Sequence, residues 1–175
     1  MTILRWLETF RRDERGVAAV EMGLTGTILL GLMLNGVEVG RYAYTASQVT
    51  AASQAAAQAA LVQCTPVETP VSTNCPEAAE AMAQALQGTS LGEEVKRVGN
   101  LDEAWYCLDD KGVLTRVADP GSKPSNCTAA GMPAAYPALY LKITAGYTYT
   151  PMFPGITLAE KLPAEIQRTA WMRMR

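Results

Sequence analysis

Apolar positions are distributed unevenly along this chain, and the pattern changes sharply at three places. Residues 1–16 are short of apolar runs and carry Arg5, Glu8, Arg11, Arg12, Asp13, Glu14 and Arg15 ahead of Gly16. From Val17 to Val39 the sequence turns apolar, reading VAAVEMGLTGTILLGLMLNGVEV. As a helix this run spans about 34 Å, enough to cross the hydrocarbon core of a bilayer. Residues 42–63, YAYTASQVTAASQAAAQAALVQ, are rich in Ala and free of Gly and Pro, so the helix is predicted to continue beyond the membrane. Tyr42, Val49 and Ala56 recur every seven residues, with Ala46, Ala52 and Ala60 on the same side, giving a narrow seam of small residues. That seam suits packing on the chain's own outer domain or on neighbouring helices. The run stops before Pro66.

Downstream the period shortens. A second helix is predicted over Pro76–Gln87, with Asn74 or Thr73 as cap, Pro76 at its start, Gly88 at its end, and Ala79, Met82 and Leu86 as its apolar face. Short alternating runs at 94–98, 104–108 and 113–117 read as strands, the last two joined by a turn at Asp109-Asp110-Lys111-Gly112. Residues 119–137 are rich in Pro, Gly and Ser and read as a long loop. The clearest strand is 138–149. There Leu139, Leu141, Ile143, Ala145, Tyr147 and Tyr149 share one face, and Tyr140, Lys142, Thr144 and Thr148 the other. Ile166, Ala170, Met172 and Met174 also alternate, although that stretch fits a helix as well. The expected fold is α+β: a long N-terminal transmembrane and assembly helix with a small antiparallel sheet and one extra helix. Three regions follow: a charged cytoplasmic leader over 1–16, a helix over 17–63 that spans the membrane in 17–40, and an extracytoplasmic domain over 64–175.

Composition narrows the chemistry. A net charge of −2 over 175 residues, with no basic helix or aromatic-basic stripe, gives no surface for nucleic acid. There is no His, which removes the commonest general base, metal ligand and partner for a Ser or Cys nucleophile. No metal or cofactor site is expected. Asp109 with Asp110, and Glu93 with Glu94, read as solvated acids in polar turns rather than a catalytic pair. Trp105 and Tyr106 beside Cys107 read as core packing, with a ligand-binding role as the rival. The four cysteines, Cys64, Cys75, Cys107 and Cys127, lack zinc-knuckle or redox spacing. In a non-cytosolic compartment they read as two disulfides, against four buried thiols as the alternative. Three connectivities are open. Local pairing, Cys64–Cys75 and Cys107–Cys127, closes the shortest loops at least entropic cost.

Arg residues crowd the N-terminal flank of the apolar run, while only Arg41 is basic on the far side before Lys96. The positive-inside bias therefore puts the N-terminus in the cytoplasm and the rest outside. A cleaved secretory signal is the rival, but its apolar core would be shorter and end at a small-residue site. Glu21 is costly within this run, since a charge at the bilayer centre costs about 2.5–3.5 kcal/mol. Snorkelling near the interface is one explanation. A cut after Gly16 offers another, because Val17 would then carry an α-amino group one helical turn from the Glu21 carboxylate.

Arg15-Gly16-Val17-Ala18-Ala19-Val20-Glu21 resembles the leader and cleavage motif of type IV prepilins. More narrowly, the chain resembles the TadE-like pseudopilins of tight-adherence (Flp-type) pilus systems. Met22 stands where that family often has Tyr or Phe. Asn35-Gly36-Val37-Glu38-Val39-Gly40-Arg41 is similar to the Glu-x-Gly-Arg that closes the family's apolar run. Tyr147-Thr148-Tyr149-Thr150-Pro151-Met152-Phe153-Pro154 and Ala170-Trp171-Met172-Arg173 resemble its tail, and on that basis the last alternating stretch is taken as a strand. The resemblance is strong over roughly 12–60 and weaker over 138–175.

The resemblance implies a minor pilin or pseudopilin rather than an enzyme. It would be cut after Gly16 by an inner-membrane prepilin peptidase and held as a single-pass inner-membrane protein with its outer domain periplasmic or in the pilus. It would assemble with other pilin subunits and the assembly machine, with Glu21 neutralising the Val17 amino terminus of a neighbour. Major pilins of the family are much shorter, and the chain lacks the length for the extra domain of TadG-like proteins. From the residues themselves, Glu38 and Arg41 at i,i+3 form an interfacial pair or a subunit contact. Gly36 and Gly40, with Gly26 and Gly31 upstream, let helices approach closely, or simply reflect the frequency of glycine in spanning helices. A membrane-tethered envelope binding module unrelated to pili is the second reading, and an envelope hydrolase the third.

Overall fold

A computed structural model of the chain describes residues 15–64 and 70–174. The leader up to Glu14 and the Pro66 stop signal lie outside the described residues. Helix α1, Arg15–Gln63, runs unbroken for 49 residues, about 74 Å. It carries the apolar run and the Ala-rich run as one element, since no Pro interrupts either. It passes through two compact units. The first combines residues 15–41 with Pro151–Leu162; the second combines Tyr42–Thr150 with residues 163–174.

In the second unit the small-residue seam of α1 is a true core face: Ala46, Val49, Ala52, Ala56 and Ala60 are buried, joined by Thr45, Ser53 and Ala57. Tyr42 is only half-buried, with its ring set edge-on against Tyr149 at 5.0 Å and its hydroxyl donating to the Pro163 carbonyl. A one-turn helix α2, Val71–Asn74, precedes α3, Pro76–Gln87. The bounds of α3 are those the sequence predicts, because Pro76 begins it and Gly88 ends it. Its cap and phase differ. Cys75, not Asn74 or Thr73, is the capping residue and offers no side-chain bond, because Asn74 is already committed to α2. Ala78, with Met82 and Leu86, faces the core at i,i+4,i+8, while Ala79 is exposed.

The sheet has five antiparallel strands, β1 Lys96–Arg97, β2 Asp102–Leu108, β3 Leu114–Ala118, β4 Ala138–Thr148 and β5 Glu165–Arg173. Strand β4 is central. β5 pairs with it along one side, from Tyr140↔Arg173 to Thr148↔Glu165. On the other side β2 pairs with its first half and β1 with its second, while β3 adds to β2. Leu139, Leu141, Ile143 and Ala145 are buried as the alternation requires, and Tyr147 is half-buried. The C-terminal stretch is a strand because β4 offers it a full edge of backbone groups that a helix would leave unpaired. Strand β1 is shorter than the predicted 94–98: Gly92–Glu94 form a 3-10 turn, so pairing starts at Lys96. Strand β2 begins earlier than predicted, at two acids, Asp102 and Glu103. The turn after it is held by Asp109, whose Oδ1 accepts the N–H groups of Lys111 and Val113 at 2.9 and 2.7 Å.

Two disulfides close short loops, Cys64–Cys75 and Cys107–Cys127. The second pins the 119–137 loop to β2, where Trp105 and Tyr106 are also buried. Trp105 donates its indole N–H to the Pro120 carbonyl and has the Lys123 ammonium over its ring. Both aromatic side chains are thus packed in the core, as their place beside Cys107 led one to expect.

Candidate functional site

The first unit carries the residues the sequence singles out. Gly16, Val17 and Glu21 occupy the first turns of α1, on a surface that stays open. Glu21 lies one turn beyond Val17, the spacing at which helical side chains are neighbours. From Val17 to Val39 the large apolar side chains are exposed apart from half-buried Leu34, with none of the most apolar stretch buried inside the fold. That distinguishes this stretch of α1 from the core helix of a water-soluble domain, which would hide such a face. The uncharged polar residues within the run bond back to the helix backbone. Thr25 and Thr27 donate to the carbonyls of Glu21 and Gly23, and Asn35 Nδ2 donates to Gly31, each at 2.8 Å. The helix therefore presents few unsatisfied polar groups to an apolar surrounding. Gly36 and Gly40 are exposed, with open space where a Cβ would stand. They form a smooth strip that nothing within the described residues occupies.

The structure also brings together a cluster that the sequence did not reveal. Glu38 is fully buried. Its two carboxylate oxygens accept the backbone N–H of Met152 at 3.1 Å, and Oε2 accepts that of Phe153 at 3.3 Å. One turn earlier on the helix, Asn35 Oδ1 accepts the backbone N–H of Leu158 at 2.8 Å. Arg41 Nη1 lies 3.8 Å from Glu38 Oε1. A buried carboxylate is tolerated when hydrogen-bonded donors and a cation offset its lost hydration, and this one has both. The pairing of Glu38 with Arg41 at i,i+3 is thus present, and the same carboxylate also binds the backbone of the Pro151–Leu162 loop. The loop supports itself as well: Gly155, at φ 78°, donates to Glu160, and Thr157, buried, donates to Phe153. The sequence signal was a polar pair, Asn35 and Glu38, at the end of an apolar run. Its partners are backbone amides, which leave no mark in a sequence.

Among the described residues no cluster of acids, cysteines or histidines could hold a metal. Glu93 and Glu94 are exposed on their turn, and Asp109 is occupied by turn amides. A cleft of about 310 Å³ lies between α3 and β1, floored by Met82, Leu86, Val95 and Ile143 and edged by Lys96 and Arg97.

These features define an α+β protein built on one helix long and apolar enough to cross a membrane. The family model described as TadE-like protein matches residues 16–58, in agreement with the resemblance read from the motifs of that segment. The match begins at the glycine of the cleavage-type motif and ends within the buried alanine seam. That family is associated with Tad pilus systems and is structural. No curated protein and no solved structure matches the chain.

Proposed function

We propose that the chain is a minor pilin or pseudopilin of a tight-adherence pilus, cut by a prepilin peptidase after Gly16 and assembled through α1. The observation that carries this reading is the start of the helix. An exposed apolar surface is interrupted by one carboxylate, Glu21, a single turn from the residue that cleavage would make N-terminal. Inserted alone, that carboxylate is expensive in lipid. Placed beside the new α-amino group of a neighbouring subunit, it loses the penalty of an unpaired charge, so correct axial register is favoured over misregister. The chain sits in the inner membrane with its N-terminus cytoplasmic, because cations crowd that flank of the run. Its partners are the peptidase, other pilin subunits and the inner-membrane assembly machine, with Gly36 and Gly40 giving neighbouring helices a close approach.

N-terminal mass analysis of the protein from its native membrane tests the processing step. The wild type is expected to begin at Val17, and Gly16→Ala to keep the leader. Full-length chains in both cases would overturn the processing claim and favour a membrane-tethered binding module. A Glu21→Gln variant that is cut normally yet fails to enter filaments would support the charge-pairing role; normal entry would sink it.

A further inference from the structure

The Pro151–Leu162 loop carries three large apolar side chains that the fold leaves open: Met152, 56% exposed, Ile156, 65%, and Leu158, 60%. Isolated exposed apolar residues are common, but three within one short, internally bonded loop form a patch that calls for a partner. The loop does not wander. Its backbone is tied to Asn35 at Leu158 and to Glu38 at Met152 and Phe153. Those ties fix its level on α1. Counting from Val17, Asn35 and Glu38 lie roughly 27 and 32 Å along the helix. The hydrocarbon core of a bilayer is about 30 Å thick.

We propose that this loop is a second membrane-contacting element, which seats Met152, Ile156 and Leu158 in the headgroup–acyl boundary of the outer leaflet, beside the point where α1 leaves the lipid. The inference rests on α1 spanning the membrane. The occupant is lipid because the loop is tied to the last turns of the apolar run, where Val37 and Val39 of α1 are themselves exposed. Interfacial segments of this kind combine apolar side chains with cations that reach lipid phosphates. Exposed Lys161 supplies one. Glu160, the acid beside Lys161, is turned onto the Gly155 amide. Glu38 and Asn35 are positioning residues: they carry the loop at a fixed depth without touching lipid through their own polar atoms.

The test uses the full chain in vesicles of phosphatidylethanolamine and phosphatidylglycerol, with the photo-crosslinker p-benzoylphenylalanine placed singly at Leu24, Ile156 or Val62. Leu24 reports the span itself. Val62, 80% exposed and well past the apolar run on the same helix, is a control at least as open as Ile156. Lipid adducts at Leu24 and Ile156, with loss of the adduct at Val62, are expected. An adduct at Leu24 with none at Ile156, or with Ile156 captured only by a second copy of the chain, overturns the proposal and leaves the anchor intact. Equal yields at Ile156 and Val62 overturn it too. Absence of an adduct at Leu24 removes the spanning reading and this inference together. In an Asn35→Ala, Glu38→Ala background the Ile156 adduct should be lost while Leu24 is unchanged; its retention would refute the positioning role.

Discussion

The carboxylate of Glu38 accepts the backbone N–H of Met152 on both oxygens, each at 3.1 Å, across 114 residues of sequence. Each hydrogen bond to a charged group contributes about 1.5–3 kcal/mol, and an unsatisfied buried donor costs a similar amount. Glu38→Ala should therefore open the Pro151–Leu162 loop while leaving β4 closed. Hydrogen exchange in detergent micelles is the check: the Met152 and Phe153 amides should lose protection, with little change in the Leu139–Ala145 amides. Glu38→Gln keeps one acceptor oxygen and should fall between. Equal protection in wild type and Glu38→Ala would show that the loop holds itself.

Glu103 supplies the pH dependence. It is buried in β2, and burial raises its pKa above the ordinary carboxyl value of 4.5, opposed by the backbone N–H groups of Ser72 and Val71 at the start of α2. Its Oε1 has no partner among the described residues. Because the folded-state pKa is the higher one, the native chain holds more protons than the unfolded chain between 4.5 and that raised value. Stability must then fall as pH rises through that window. Glu103→Gln cannot ionise, so its denaturation midpoint should match or exceed the wild type at neutral pH. The difference should vanish below the ordinary carboxyl range. A variant that is less stable at neutral pH and equal in acid would reverse the sign and refute this account.

Local rules read well where neighbours in sequence decide the outcome. Pro76 and Gly88 bound α3 because each constrains its own backbone, and the alternation from Leu139 to Ala145 marked β4 because its two faces meet different surroundings. Ala78 replaced Ala79 on the core face because α3 is phased by its own docking, which local apolarity cannot set. Asp102 and Glu103 fell outside the predicted strand 104–108, yet they pair with Lys142 and Leu141 because β4 extends that far. The motif around Gly16 and Glu21 was legible as a candidate site because its spacing is local. The clasp of Asn35 and Glu38 was not, because it joins side chains to amides of a distant loop.

Gly146 illustrates a constraint set by tertiary approach. In β4 it faces Lys96 of β1, and a Cβ built on it would collide with the Val98 side chain, a β-branched group with little freedom to swing away. Val98 is also tied to the neighbouring strand, its N–H donating to Thr144 at 2.8 Å. Gly146→Ala should therefore destabilise the second unit by about 1–3 kcal/mol, the usual range for overpacking. Pairing it with Val98→Ala should recover part of the loss. Denaturant melts of the two single variants and the double variant give the coupling directly, and strict additivity would mean that the clash is relieved elsewhere.

Gly36 and Gly40 separate folding from assembly. Both lie on exposed helix with nothing within 4 Å of an added Cβ. Within one chain, glycine in a helix interior is the poorer choice, by about 0.5–1 kcal/mol relative to alanine. Gly36→Ala and Gly40→Ala should therefore leave the isolated subunit as stable as wild type or slightly more so, measured by thermal melts in detergent. If helices of neighbouring subunits meet along this strip, the added methyl groups push their backbones apart and weaken the van der Waals contact that drives association in lipid. The same variants should then enter filaments less well, read as the pilus-incorporated fraction. Unchanged melting with reduced incorporation assigns the glycines to packing between subunits. Unchanged melting with unchanged incorporation would reduce them to bystanders, since a surface that truly contacts another helix cannot gain two methyl groups without consequence.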